Sequence, residues 1–219
     1  MMDNYVKEII TDVDKLGEWC VEINTHKEGK LLQEIVLSLK QTMRERNLVS
    51  LAAPQIGYNR RVFCLRFGEN DYRTFVNPVI ENNTAFQFAR ETCSSIPEKT
   101  FVIPRFGGLK VFFTTPLGKI ESTKLVGMSA FKFQHCLDHL NGLVLSDIGL
   151  EIDEMFDNAT DEERAEVLRM YAESLDIRQK ELTKIVEEDA ELKQIDEAAK
   201  FMASVHAGET TIDNSFAEN

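Results

Sequence analysis

The chain has 219 residues, 43% of them hydrophobic, and a formal net charge of −12. This length suits one domain with an appendage, and the apolar content is sufficient for a buried core. The acidic balance argues against direct nucleic-acid binding, because no basic patch is available to neutralise phosphates.

The N-terminal segment and the spacing of the cysteines bear on where in the cell the protein is located. MMDNYVKEIITDVDK lacks the basic-then-apolar pattern of a secretion signal, and no stretch approaches the roughly 18 apolar residues of a membrane span. We therefore expect a cytoplasmic protein with no membrane partner. No CxxC pair occurs, so in a reducing compartment thiols or metal ligands are expected rather than disulfides. Cys64 and Cys20 are predicted to be small buried hydrophobes.

The first regular elements are a helix and a series of strands. From about Gly29 to Arg46, apolar residues recur at three- and four-residue spacing, which predicts an amphipathic helix. From Ser50 to about Val126 the segments are short and rich in β-branched and aromatic residues, as in RVFCLRF, RTFVNPVI, FVIP and LKVFFTT. Gly, Pro and Asn separate them. This pattern predicts antiparallel strands joined by turns.

A second helix is predicted to begin near Gly127. Its helical period places four residues on one stripe: Met128, Phe131, His135 and His139. Together these elements predict an α+β fold in which antiparallel or mixed sheets pack around this central helix.

The C-terminal third is predicted to be a helical extension. Apolar residues follow a helical stripe from ERAEVLRMYAESL onward, and charged residues fill the remaining positions. We expect a first domain over residues 1–156, helices over residues 157–206 and a disordered tail over residues 207–219. Two roles remain open for the helices: packing on their own domain, or forming an interface with a partner, for example a homodimer.

The segment FQHCLDHLNG, residues 133–142, carries the strongest chemical signal. Because His135 and His139 are four residues apart on a predicted helix, both imidazoles share a face and can bind one metal ion. Cys93, in the polar and turn-prone ETCSSIPE, offers a third ligand. One Cys and two His would hold Zn²⁺ or Fe²⁺ with one position open. An isolated HxxxH also arises by coincidence, so spacing alone leaves both interpretations open.

Three motifs resemble those of the peptide deformylase family. LAAPQIG spans residues 51–57, ETCSSIPE spans residues 91–98 beside the family's E-G-C-L-S, and QHCLDHLNG spans residues 134–142 beside Q-H-E-x-D-H-L-x-G. The resemblance extends over roughly residues 28–150. It implies a metalloenzyme that removes the formyl group from N-formylmethionyl peptides, with the peptide N-terminus as substrate or ligand. It also implies one divalent metal ion, Fe²⁺ or Zn²⁺, which Ni²⁺ or Co²⁺ could replace.

Carried over by position, the resemblance assigns roles to eight residues. It implies that Cys93, His135 and His139 bind the metal. It also implies that the Gln55 side chain and the Ser94 backbone N–H stabilise the oxyanion of the attacked formyl group. The alternative for Gln55 is an amide in a surface turn. The remaining three would support the site: Glu91 paired with Arg105, and Asp138 near one histidine or at the end of the helix.

One departure from the family pattern affects proton transfer. The glutamate that usually follows the first histidine moves a proton from water to the leaving amine, and this chain has Cys136 there. The cysteine side chain is shorter by two bonds. A thiol near a metal cation would tend to ionise, and it could act as a fourth ligand in a closed Cys2His2 set. Because Cys136 lies roughly 100° around the helix from His135, we favour an unligated thiol beside the metal.

Other departures affect the substrate groove. The family's G-x-G is here Leu48-Val49-Ser50, and Thr92 replaces a glycine. The expected groove residues are therefore Val49, Ser50, Thr92, Met128, Phe131 and Lys132. Lys132 could lie along the pocket with its ammonium outward, make the pocket prefer an acidic group, or simply be solvated. Two hypotheses follow: a deformylase with reduced or lost activity, and a non-catalytic metal-containing binding or structural protein.

Overall fold

The computed structural model describes residues 5–175. The chain divides into two compact units, one ending at Asn158 and one beginning at Ala159. The helices of the first unit are α1 (Val13–Leu16), α2 (Gly29–Glu45), α3 (Met128–Leu140), α4 (Leu145–Ile148) and α5 (Glu154–Asn158). None of the helices within residues 5–175 is long and apolar enough to cross a membrane.

Within residues 5–175, eight strands form two antiparallel sheets. The strands are β1 (Ser50–Ala52), β2 (Val62–Arg66), β3 (Tyr72–Asn83), β4 (Phe86–Cys93), β5 (Ile96–Phe106), β6 (Gly108–Thr114), β7 (Ile120–Val126) and β8 (Leu150–Ile152). The larger sheet has the order β1-β2-β3-β6-β7, and the smaller has the order β4-β5-β8. Every strand pair in these sheets is antiparallel. The predicted α+β class is confirmed, with antiparallel rather than mixed sheets.

Helix α3 is central, as the sequence predicts. It packs against β1, β2 and β7 of the larger sheet and against β5 of the smaller one. Phe133 anchors it, with its ring edge-to-face against Phe63 and Phe75 at centroid distances of 5.0 and 5.4 Å. Such contacts add to the stabilisation from burial itself. The helix is thereby fixed between the two sheets.

The other predicted elements agree closely with the structure. The first predicted helix corresponds to α2, whose apolar stripe is buried against β2, and the strand-rich region contains β1 to β7. Cys20 and Cys64 are buried, as expected, and His26 is exposed. The sequence did not single out the 3₁₀ turn Ala53–Ile56.

In the C-terminal extension, residues 161–175 are helical. The predicted helix beyond residue 175, the tail over residues 207–219 and His206 lie outside the described residues. The predicted dimer interface therefore stays a prediction.

Candidate metal centre

Three side chains from two elements converge in the first unit. Strand β4 ends at Cys93, and α3 carries His135 and His139 one turn apart. Their ligand atoms all lie within 4.8 Å of one another, and Cys93 Sγ is 3.3 Å from His139 Nε2. All three residues are buried. A register shift in β4 between Glu91 and Cys93 accompanies this arrangement.

A carboxylate orients the first histidine. His135 Nδ1 lies 2.8 Å from Glu91 Oε2, so Nδ1–H donates to the carboxylate and Nε2 is left free for a metal. Arg105 donates to Glu91 through Nε at 3.0 Å and Nη2 at 3.1 Å, and through Nη1 to Asp138 at 2.6 Å. The buried pair Glu91 and Arg105, together with the half-buried Asp138, thus supports His135.

The charges of these groups suit a cation. Burial raises the pKa of Glu91, but hydrogen bonds with His135 and Arg105 outweigh it and hold this pKa at about 2. Burial likewise raises the pKa of the Cys93 thiol, but its contacts with His135 and His139 bring it to about 5. Burial lowers the pKa of His135, but its contacts with Cys93 and Glu91 outweigh burial and raise this pKa to about 9, so a cation that binds here must displace a proton from this ring. One thiolate and two imidazoles form a donor set typical of Zn²⁺ and Fe²⁺.

Gln55 lies beside this cluster with a fixed orientation. Its side chain is 2% exposed, so it is not an amide in a surface turn. Its Oε1 accepts from the Ala52 backbone N–H at 2.9 Å, and its Nε2 donates to Ser95 Oγ at 3.1 Å. Nε2 is also 3.5 Å from Cys93 Sγ and from Ser94 Oγ. Ser95 is a further residue of this site that was not predicted from the sequence, although its place within ETCSSIPE is a signal that could have identified it.

Cys136 is not part of this cluster. It is fully buried with Ala52, Ala130 and Phe133 in the core under the larger sheet. It is not among the three grouped ligand atoms of the described residues, which agrees with the unligated thiol that the sequence favours, although this stays a prediction. Burial strongly raises the pKa of this thiol despite a side-chain hydrogen bond with Ser50. In the metal-free protein these apolar surroundings favour the neutral thiol, and its ionisation beside a bound cation stays a prediction.

The expected groove residues differ in exposure. Val49 is 44% and Met128 is 63% exposed, and Thr92 is also exposed. Ser50, Phe131 and Lys132 are half-buried. Among residues 5–175, no salt bridge of Lys132 is found. Val49 and Ser50 lie at the start of β1, Thr92 lies in β4, and Met128, Phe131 and Lys132 lie in α3, so the expected groove residues come from three elements.

The comparisons with known proteins agree on one family. A family model described as polypeptide deformylase matches residues 6–151. The peptide deformylase of Thermotoga maritima is 32% identical over 116 residues, covering 53% of this chain and 71% of the relative. That of Dictyoglomus turgidum is 30% identical over 147 residues, covering 65% and 95%.

Solved structures of this family share the fold. The crystal structure of peptide deformylase from Thermotoga maritima has a TM-score of 0.61 at 30% identity, covering 65% of this chain and 97% of that chain. The class I type b peptide deformylase from Acinetobacter baumannii has a TM-score of 0.62 at 26% identity, covering 65% and 98%. The family match includes every residue of the metal centre.

Proposed function

The chain belongs to the polypeptide deformylase family, and we propose that it binds N-formylmethionyl peptides at a metal centre and removes their formyl group slowly. The observation that carries this proposal is the buried convergence of Cys93, His135 and His139, with Glu91 holding His135. Family membership indicates the reaction class, and the surrounding residues indicate how well this chain performs it.

We propose that Cys93 Sγ and the Nε2 atoms of His135 and His139 hold one divalent cation. Fe²⁺ or Zn²⁺ fits one thiolate and two imidazoles, and Ni²⁺ or Co²⁺ could replace them. Three protein ligands leave a position open, as in catalytic rather than structural sites. When bound, such a cation supplies Lewis acidity, which polarises a carbonyl and makes water more acidic.

Gln55 and the backbone N–H of Ser94 are proposed to stabilise charge on the formyl oxygen. Negative charge grows on that oxygen as the carbonyl is attacked, and donors already in place lower the barrier. The contacts of Gln55 with Ala52 and Ser95 support this role, because they hold its amide beside Cys93 before any substrate arrives. Little reorganisation is then needed during the reaction.

The weak part of the site is proton transfer. Glu91 is bound to His135 and Arg105, and Asp138 is bound to Arg105, so neither carboxylate is free to carry a proton. Cys136 is packed in the core and is equally unsuited to this task. A positioned general acid–base contributes roughly 10²–10⁴-fold to a rate. We therefore expect slow turnover.

The burial of Cys136 also favours a second candidate function, a metal-containing protein that binds formylated or related peptide N-termini without hydrolysing them. In either case we propose that the peptide lies beside the groove residues Val49, Ser50, Thr92, Met128, Phe131 and Lys132. With no ion pair among the described residues, the Lys132 ammonium would be available to an acidic substrate group.

A formyl-Met tripeptide tests the proposal. The full chain is loaded with Fe²⁺ or Zn²⁺, and both formate release and binding of the peptide are measured, with Cys93→Ala as the control. We expect saturable binding with slow formate release that the control lacks. Binding without release would identify the second candidate, and absence of both would contradict the proposed substrate.

A further inference from the structure

An arginine outside the metal cluster binds the end of the metal-bearing helix. Arg61 immediately precedes β2, and its side chain is only 9% exposed. Its Nη1 donates to the backbone oxygen of Leu140 at 3.1 Å and to Asn141 Oδ1 at 3.0 Å. Within residues 5–175 no salt bridge of Arg61 is found. Its main polar partner is thus the last turn of α3.

The electrostatics of a helix terminus explain this contact. The last carbonyl groups of a helix have no partner within the helix and carry a partial negative charge. A guanidinium at that end satisfies a carbonyl and opposes the charge. Burial lowers the pKa of Arg61, although this side chain remains charged at neutral pH. A buried cation placed this way fixes the helix end rather than a surface loop.

Residues that precede α2 in the chain also contact this end of α3. The Trp19 ring lies over the Arg61 guanidinium at 5.1 Å, and the Cys20 backbone N–H donates to Leu140 at 2.9 Å. Gly142, at φ +70°, lies so close to Gly17 that a Cβ there would be 2.6 Å from a backbone oxygen. The chain before α2 and the turn after α3 are therefore in direct contact.

The two histidines are held in different ways. His135 is oriented through its ring by Glu91, whereas His139 Nδ1 has no hydrogen-bond partner among the described residues. His139 lies in the last turn, directly before Leu140. Its ring position therefore depends on the backbone at that turn.

We propose that Arg61 is a positioning residue that holds the last turn of α3 so that His139 meets Cys93 and His135. This inference rests on the proposed metal centre, but not on catalysis. Removing Arg61 would leave the Leu140 carbonyl with one donor fewer and let the turn shift. Changes in groups that orient metal ligands typically cost 10–100-fold in metal affinity.

Metal binding tests the inference in the full chain. Arg61→Met removes the donors at similar length, Arg61→Lys keeps the charge, and the matched control Arg60→Met changes a neighbour that contacts Glu28 and Asn59 instead. Co²⁺ affinity is measured against a competing chelator, with the absorption spectrum of the Co²⁺–thiolate site. We expect Arg61→Met to weaken binding roughly 10–100-fold and shift the spectrum, Arg61→Lys to recover part of it, and Arg60→Met to match the parent. Parent-like affinity and spectrum in Arg61→Met would overturn the inference.

A metal-free measurement separates this inference from the proposed function. The chain has four histidines, so the His139 ring signal can be assigned by NMR from its loss in His139→Gln. In the apoprotein, Arg61→Met should move the His139 signal more than the His135 signal. If Arg61→Met does not fold, Asn141→Ala removes one acceptor at a half-buried position and should move the same signal. An unchanged His139 signal would overturn the inference, whereas a parent that binds no Co²⁺ would overturn only the metal centre.

Discussion

The two sides of helix α3 differ sharply in chemistry. One side carries His135 and His139 into a buried polar network with Cys93 and Glu91, and the other carries Cys136 into an apolar core. Burying such polar groups adds little stability, and well-packed hydrophobic residues often serve as well or better. The buried polar network therefore indicates a binding site, whereas core packing alone explains the position of Cys136. Three possible metal ligands thus meet on one side, and Cys136 stands on the other where the family has a carboxylate.

The largest expected effect is on the polar side. His139→Ala removes one of three proposed ligands, so metal content should fall from about one ion per chain to near zero after dialysis. Elemental analysis measures this, and His26→Ala, at an exposed histidine, is the control. Equal metal content in His139→Ala and the parent would show that His139 is not a metal ligand, and the two sides of α3 would then not differ in metal binding.

The next largest effect is expected from placing a carboxylate at position 136, on the apolar side of α3. Ser50→Gly/Cys136→Glu introduces a carboxylate and removes the hydroxyl that contacts the thiol, so kcat/KM for a formyl-Met peptide should rise roughly 10²-fold or more. Cys136→Glu alone should gain less, because Ser50 occupies the adjacent space. Metal occupancy must be equal, and Ser50→Gly is the control. A double variant that binds a formyl-Met analogue normally but gains no rate would contradict this interpretation of Cys136.

Acid should weaken the polar side selectively. The folded-state pKa of Glu91, about 2, lies below its ordinary value of 4.5, so its contribution to stability is complete above about pH 4.5. That contribution is lost as the pH falls from about 4.5 to 2. For the metal-free protein we expect Glu91→Gln to cost roughly 3 kcal/mol at pH 7 and much less near pH 2.

Urea unfolding at several pH values measures that difference. Glu98→Gln, at an exposed glutamate, is the matched control and should differ little from the parent at any pH. A cost of Glu91→Gln that stays constant from pH 7 to pH 2 would show that the carboxylate does not contribute through its charge.

The smallest effect is expected from removing the extension. A chain ending at Asn158 retains both sides of α3, so its metal content should equal that of the full chain. Light scattering distinguishes the two open roles of the extension: a homodimer interface predicts a larger loss of mass per particle than removal of residues 159–219 alone explains, whereas packing on the same chain predicts only that loss. A shortened chain that folds but binds no metal would show that the centre depends on the extension.

Much of the architecture follows from local sequence patterns. The stripe in α2 and the alternation of short apolar runs with turn residues depend on neighbours along the chain, which is why both elements were predicted closely. The pairing of His135 with His139 is equally local, because a helix alone places residues four apart on one face. Cys93 and Gln55 were assigned through motifs rather than through geometry.

Only the tertiary structure decided which groups meet across long separations. The contacts of Gln55 with Ser95 and of Arg61 with Leu140 join residues 40 and 79 positions apart, and no local pattern encodes them. The direction of Cys136 around α3 follows from helix geometry, but the raised pKa of its thiol depends on the apolar side chains packed against it. The sequence by itself determined the ligand types and their helical spacing, because these are properties of one segment. The support of these ligands by Glu91, Arg105 and Gln55 was decided by the packing of distant segments, since desolvation and hydrogen bonding depend on every neighbour in space.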